Sequence, residues 1–437
     1  MKITPLHTWI AQRLGCSEAE FNPVALERYQ LERLNWVIKY AKQHSRFYRE
    51  RLANEPETIT SLAELAAFPF TSADDLRADP NRFVCVPQDE VQRIVTLPTS
   101  GTTGESKRVF FSAADQELTI DFFKVGMSTL ARPGDRVLIL LPGLRPGTVG
   151  DLLKIGLERL GCTATIYGPV DDEEKVLHLI RELDANVLVG APVHLHRLAR
   201  WDEANQILPK NQIRSLLSST DTLANTIRAN LQAIWGCEVF DHWGMTETGL
   251  GGGVECEAHH GFHLRAVDLL VEIIDPQTGH LLPEGEQGEV VVTTLTRSAM
   301  PLIRYRTGDF SRLIPGACEC GSFIPRLERI ANHVGAGVQL ESVLLTQSML
   351  DEALFHINEI LNFSMSIIEN SKNKTMNMSI TLLSGSSILK VIQSIKKSMQ
   401  IIAPGFFALN ALEIQEQSSP EPGVMKKRMI KVIKQTN

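Results

Sequence analysis

An alternation constrains this chain more than any other feature of its sequence. From about residue 113 to 245, short apolar runs (DRVLILLPG, TATIYG, NVLVGAP, IRSLLSS, CEVFDHWG) take turns with helical patterns such as DLLKIGLERL and EEKVLHLIREL. Strands separated by helices of this length predict parallel βαβ units: an α/β layered sheet with helices on its faces. Before this region, Asn22-Pro23 followed by VALERYQLERLNWVIKYAKQ reads as an N-cap, a proline at the first helical position and an amphipathic helix with Leu26, Leu31, Leu34 and Ile38 on one side. Further helical signals stand at SLAELAAF and SADDLRAD. After it, DLLVEIIDPQTGHLLPEGEQGEVVVTTLT has strand runs joined by PQTG and PEGEQG turns, which predicts a β-hairpin-rich subdomain. Beyond about residue 330 a helix at SMLDEALFHI, a strand at MNMSITLLS and a helix at ILKVIQSIKKSMQ predict a small α+β domain. The expected organisation is a large domain over 1–330, a linker over 331–337 around NHVGAG, and a small domain over 338–437. A length of 437 residues suits two or three domains.

Composition narrows the partners. A net charge of -7 with 22% charged residues argues against electrostatic capture of nucleic acid or of an anionic membrane. Seven sparsely placed cysteines give no secreted disulfide framework. The N-terminus lacks the apolar core of a signal peptide, and no run approaches the roughly 18 apolar residues of a membrane span. A soluble cytoplasmic protein is expected, as a monomer or homodimer, acting on a small ligand.

Three motifs carry chemistry. In Thr99-Ser100-Gly101-Thr102-Thr103-Gly104-Glu105-Ser106-Lys107 the glycines let main-chain N–H groups turn inward, the hydroxyls of Ser100, Thr102 and Thr103 add donors, and Lys107 supplies a cation. Such a loop, set between two β-rich stretches, suits a polyphosphate. Glu105 and Ser106 separate the second glycine from the lysine, so it is not a Walker A loop, and a Ser/Gly linker is the plain alternative. His242-Trp243-Gly244-Met245-Thr246-Glu247-Thr248 follows the strand run CEVF, at the strand end where open α/β sheets bind ligands. Trp243 offers a flat face for a purine, Glu247 can ligate Mg²⁺ and Thr246 can reach a phosphate oxygen, against the alternative of a capped turn beside a buried tryptophan. In Arg304-Tyr305-Arg306-Thr307-Gly308-Asp309 the aspartate suits two ribose hydroxyls, against a plain β-turn aspartate with ion-paired arginines. Separately, Cys256, His263 and Cys318-Glu319-Cys320-Gly321 supply three thiolates and an imidazole, a tetrahedral Zn²⁺ set, with His259 and His260 as rivals for the fourth place and free thiols as the alternative. Four protein ligands would make that zinc structural.

In this order and spacing the three motifs resemble the adenylate-forming superfamily of acyl-CoA synthetases, peptide-synthetase adenylation domains and luciferases, within it the phenylacetate-CoA ligase-like branch. The stretches LERLNWVIKYAKQHSRFYRERL, SLAELAAFPFTSADDLR and VEIIDPQTGHLLPEGEQGEVVVTTLTRSAMPLIRYRTGD carry the likeness over roughly residues 25–330. The resemblance implies two steps: a carboxylate attacks the α-phosphate of Mg·ATP to give an acyl-adenylate and pyrophosphate, then a thiol, usually that of coenzyme A, displaces AMP. It places the β- and γ-phosphates at Ser100, Gly101, Thr102, Thr103 and Gly104 with Lys107 nearby. It places adenine on Trp243 beside Gly244, phosphate and Mg²⁺ at Thr246 and Glu247, and the ribose at Asp309. It makes the small domain a mobile lid whose tail lysine, here Lys426 or Lys427, meets the α-phosphate. The chain departs from the branch at the hinge: the usual Gly-Arg-x-Asp-Asp is replaced by a segment with His333 at the arginine position and no acidic pair. The acyl pocket would be lined by residues 143–153, 191–198 (with His194 and His196) and 218–223. These leave open an aryl acid or a short or polar acyl acid, and a carrier-protein thiol rather than coenzyme A as acceptor. A nucleotide- or acyl-binding homologue without turnover is a reading from a different class.

Overall fold

The computed structural model describes residues 1–97, 106–333, 337–340, 343–369, 374–404, 412–417 and 430–434. The chain forms two compact units: residues 1–132, 145–161 and 241–334, and residues 133–144, 162–240 and 335–437.

The first unit opens with α1 (Pro5–Leu14), α2 (Pro23–His44), α3 (Arg46–Arg51) and α4 (Ala73–Ala78). The Asn22 side chain accepts from Ala25 N at 3.0 Å and Pro23 occupies the first turn, so α2 starts where its cap places it. Leu26, Leu34, Val37, Ile38 and Ala41 form its buried face. The SLAELAAF segment is a 3₁₀ stretch, Leu62–Ala67, rather than an α-helix. Strands β1 (Val91–Leu97) and β2 (Lys107–Ser112) pair antiparallel, with Leu97 opposite Lys107, so strands do stand on both sides of the Ser/Thr/Gly-rich segment. Ser112 caps α5 (Ala113–Met127) through Asp115, whose carboxylate also accepts from the N–H groups of Ser298 and Ala299.

The second unit takes up β3 (Arg136–Leu140), after which α6 (Val149–Leu160) returns to the first. Then follow β4 (Thr163–Ile166), α7 (Glu173–Glu182), β5 (Val187–Gly190), α8 (Pro192–Asn205), β6 (Ser215–Ser218), α9 (Asn225–Trp235) and β7 (Glu238–Trp243). Strands β4, β3, β5 and β6 are neighbours in that order and all parallel, as the alternation predicts. Every residue of β5 and β6 is buried, which is why these strands read as continuous apolar runs. The chain changes unit within β7, between Phe240 and Asp241.

Back in the first unit, β7 pairs with β8 (Gly253–Val254), and β8 with β9 (Phe262–Leu264). The turn-joined segment forms β10 (Leu269–Ile274), β11 (Gly288–Thr294) and β12 (Tyr305–Ser311), all antiparallel. Short strands β13 (Leu313–Ile314) and β14 (Arg326–Leu327) extend the β9 side, and β15 (Asn332–His333) adds to β12. One core joins α2 and α3 to β2 and the start of β12 through Leu34, Ile38, Phe47, Val109, Phe111 and Tyr305.

Residues 335–437 supply β16 (Val338–Leu340), β17 (Val343–Leu345), α10 (Gln347–Leu354), β18 (Ile360–Glu369), β19 (Lys374–Leu382), α11 (Ile388–Ile402), β20 (Leu412–Glu416) and β21 (Lys431–Lys434). They share a unit with α8 and α9 and are stapled to them. His196 Nε2 meets Ile360 O at 3.0 Å, Arg200 donates to Asn358 Oδ1 at 2.8 Å and Asn230 donates to Phe355 O at 2.9 Å. Helix α9 has no side-chain cap of its own; Glu352 of α10 accepts from Asn225 N at 2.6 Å and from Thr226 N at 3.0 Å instead. No helix among the described residues is long and apolar enough to cross a membrane.

Candidate active site and metal centre

Three segments of the first unit meet around Glu247. Its carboxylate is 3% exposed, at the 3₁₀ turn Thr246–Thr248 that follows β7. Lys107, the first residue of β2, donates to Glu247 Oε1 at 2.5 Å, and Tyr305, the first of β12, donates to the same oxygen at 3.1 Å. Lys107 Nζ lies 3.4 Å from the Tyr305 hydroxyl, closing a triangle. Burial and the adjacent Glu247 push the Tyr305 phenol well above its ordinary value, so it stays a donor. Arg297, wholly buried, donates to Glu247 O at 2.8 Å and to Phe110 O at 3.1 Å, tying the turn to β2. Thr246 is half-buried, and its carbonyl accepts from Gly249 N at 3.1 Å. Sequence reasoning placed Lys107 with the phosphates; here it is the counter-ion of Glu247. Tyr305 and Arg297 were missed as site residues, although Tyr305 stood inside a quoted motif.

Trp243 has a role that its sequence position did not suggest. It is 4% exposed and packs with Phe262, Leu264 and Val292. A Cβ on Gly252 would come within 2.4 Å of its ring, so the missing side chain at 252 makes room for the indole. The purine face expected on Trp243 is therefore covered, and stacking there would require the ring to leave its packing. What Trp243 offers instead is its N–H, donated to Asp309 Oδ2 at 2.8 Å. The other oxygen, Asp309 Oδ1, lies 2.7 Å from His333 Nδ1, and the register of β12 and β15 sets these residues opposite each other. Asp309 is 4% exposed. Gly244 lies exposed at the head of the turn, where a Cβ would come within 2.8 Å of Gly251 Cα. The arginines of the motif are ion-paired: Arg304 with Glu272 at 3.0 Å over the Phe70 ring, and Arg306 with Glu289. Ser100, Gly101, Thr102, Thr103, Gly104, Lys426 and Lys427 lie outside the described residues.

The cysteine set comes together. The ligand atoms of Cys256, His263, Cys318 and Cys320 all lie within 4.8 Å of one another, and all four residues are buried. Cys256 Sγ is 3.7 Å from Cys318 Sγ, and Cys320 Sγ is 3.5 Å from His263 Nε2. A tetrahedron with Zn–S bonds of about 2.3 Å has edges of about 3.8 Å, so the spacing fits that ion. Burial, with Arg326 nearby, lowers the His263 pKa to about 4, which leaves the neutral ligand form; burial pushes the Cys256 thiol up when no cation is present. Geometry also chooses among the histidines: His259 Nδ1 is 3.1 Å from Glu255 Oε2, and His260 is exposed.

Of the acyl-pocket candidates in the second unit, His196 is fully buried against Phe355 and belongs to the core. His194 Nδ1 accepts from Val170 N at 3.4 Å, and burial beside Arg197 lowers its pKa to about 4. Thr220, just past β6, has φ +78°, an uncommon conformation for a β-branched residue.

A family model described as AMP-binding enzyme matches residues 6–297. The chain belongs to the AMP-binding enzyme family. Within it the chain falls in the phenylacetate-CoA ligase-like branch. It is 32% identical over 345 residues to a phenylacetate-coenzyme A ligase of Pseudomonas putida, covering 77% of each chain. It is 35% identical over 301 residues to one of Aromatoleum evansii, covering 66% of this chain and 67% of that one. The fold matches a crystal structure of 2-hydroxyisobutyryl-CoA ligase in the postadenylation state with TM-score 0.79 at 21% identity, over 92% of this chain and 89% of that one. For an AMP-binding enzyme, a buried carboxylate between an ammonium and a phenol, with a second held by an indole, forms a compact charged site in the first unit.

Proposed function

We propose that this AMP-binding enzyme is an AMP-forming acid–thiol ligase whose substrate is an aryl or aryl-acetic acid and whose acceptor is coenzyme A. The cluster of Lys107, Glu247 and Tyr305 carries the reading, because it fixes a buried anion on the turn that the family motif assigns to nucleotide phosphates. In the first step a carboxylate oxygen of the acid bonds to the α-phosphorus of ATP and pyrophosphate leaves. In the second a thiol sulfur bonds to the acyl carbon, AMP leaves and the thiol proton passes to solvent. The residues bind, orient and neutralise rather than form bonds.

In this reading Ser100, Gly101, Thr102, Thr103 and Gly104 hold the β- and γ-phosphates, and Thr246 takes a phosphate oxygen. Glu247 would hold Mg²⁺, which supplies charge neutralisation on the phosphates when bound, and Lys107 keeps that carboxylate aimed until then. Asp309 receives the ribose, with Trp243 acting through Asp309. Lys426 or Lys427 neutralises charge growing on the α-phosphate, from a small domain (338–437) that moves as a lid about 331–337. Cys256, His263, Cys318 and Cys320 would hold a structural Zn²⁺ pinning three loops of the first unit. The protein is proposed to be cytoplasmic.

Pyrophosphate release with a panel of carboxylic acids, with and without coenzyme A, tests the reading. Release that depends on an aryl acid, with AMP and acyl-CoA formed when coenzyme A is present, supports it. Adenylation with no coenzyme A transfer points to a carrier-protein thiol, and no release with any acid points to a binding homologue.

A further inference from the structure

Glu247 is approached by two positive side chains of unlike freedom. Arg297 is buried, donates to the carbonyls of Glu247 and Phe110, and lies with its guanidinium 4.5 Å from the centre of the Phe111 ring. It is fixed, and it faces the main chain rather than the carboxylate. Lys107 reaches the carboxylate itself, 2.5 Å from Oε1, with 23% of its side chain exposed against 3% for that of Glu247. Its ammonium ends a flexible four-carbon stem. It can therefore withdraw toward solvent while β2 stays in place, held by main-chain pairing to β1 with Leu97 opposite Lys107.

The ammonium also lies 3.4 Å from the Tyr305 hydroxyl, which itself donates to Glu247 Oε1. A carboxylate oxygen and a phenol oxygen thus meet one positive charge, and oxygen donors are what a hard divalent cation takes. The position of the ammonium is a cation position. Two cations at one carboxylate oxygen repel each other, and the divalent ion attracts that oxygen more strongly than the monovalent one does.

We propose that Lys107 is an internal stand-in for Mg²⁺ at Glu247, neutralising the carboxylate when no metal is bound and giving up that oxygen when Mg·ATP binds. The proposal rests on the nucleotide reading of the site. With the stand-in present, Glu247 does not repel an incoming polyphosphate, so ATP without metal is tolerated. Mg²⁺ gains less at Glu247 than it would at a bare carboxylate, because the bond to Lys107 must be broken first.

Calorimetry with ATP and no acid substrate, once with Mg²⁺ and once in magnesium-free buffer, gives two dissociation constants. Their ratio is the metal's contribution to nucleotide binding; any pull of Lys107 on the phosphates enters both measurements and drops out. In Lys107→Met the ratio should rise at least about ten-fold over the native protein, the worth of one charge-assisted hydrogen bond, mainly through weaker binding of metal-free ATP. Lys107→Gln keeps a neutral donor for Oε1 and is read beside it, with a rise in the same direction. Lys107→Arg keeps the charge and should stay near the native ratio. In a Glu247→Gln background the change at Lys107 should leave the ratio where it was, since no carboxylate remains to be neutralised. An unchanged ratio in both neutral variants, as a purely structural ion pair would give, overturns the proposal while leaving nucleotide binding intact. The same rise in the Glu247→Gln background overturns it too. Failure of the native protein to bind ATP with Mg²⁺ present overturns the nucleotide reading, and the proposal with it.

Discussion

Two carboxylates carry the site, and each is held by groups distant in sequence. Glu247→Gln keeps the shape of the side chain but removes its charge, so pyrophosphate release should fall by at least about 10²-fold, the usual cost of losing a preorganised electrostatic group. The melting temperature should move little, because Lys107 keeps contact with Tyr305 and some solvent. A stability loss that accounts for the whole activity loss would make the turn structural only. Asp309→Ala should raise the KM for ATP more than it lowers kcat; unchanged nucleotide affinity by calorimetry would remove the ribose from Asp309. Glu247 and Asp309 were both legible in the sequence as motif members. That Lys107 pairs with Glu247, and Trp243 with Asp309, was not, because 140 and 66 residues separate the partners.

Elements meet at points where one residue serves two of them. The cap position of α9 is Ala224, which offers no side-chain acceptor, and the helix borrows the Glu352 carboxylate from α10. Glu352→Ala should cost about 1 kcal/mol, the ordinary worth of a helix cap, read as a lower midpoint in denaturant unfolding. An unchanged midpoint would mean that solvent caps α9 equally well. The knuckle around Cys318 and Cys320 is joined to β8 and β9 through Cys256 and His263. Protein prepared without chelators should carry about one Zn²⁺ per chain by metal analysis, and its removal should lower the melting temperature, since the folded loops bind the ion and the unfolded chain does not hold the site. Metal-free protein with full stability would leave three buried free thiols and an imidazole. Strands β18, β20 and β21 were not anticipated: LNFSMSIIE alternates apolar residues with asparagine and serine, and pairing with β19 on one side and β21 on the other gives it a sheet to belong to.

At the scale of the whole molecule, the two proposed steps make opposite demands on the small domain. Replacing both Lys426 and Lys427 with alanine should slow acyl-adenylate formation while leaving thiolysis of a preformed adenylate nearly intact, because only the first step builds charge on the α-phosphate. Single-turnover assays of each half-reaction separate the two; a wild-type adenylation rate in the double variant would assign that charge to another cation. Residues 335–437 bury Leu350, Leu354, Phe355 and Ile360 in a core shared with α8 and α9, so any rotation of this part must first break that packing and the Glu352 cap.

Local pattern by itself determined the parallel βαβ region, the hairpin-rich segment, the capped start of α2 and the identity of the carboxylates and thiols, because periodicity, turn chemistry and motif spacing are properties of neighbours in the chain. Only the tertiary structure decided what those side chains face. Burial turned Trp243 from an open ring into the holder of Asp309, and strand register set His333 against the same carboxylate. Folding also chose His263 over His259 and His260 for the sulfur cluster, since β9 aims that imidazole inward while the other two face a glutamate and solvent. Which groups share a site depends on long-range packing, and no window of sequence contains it.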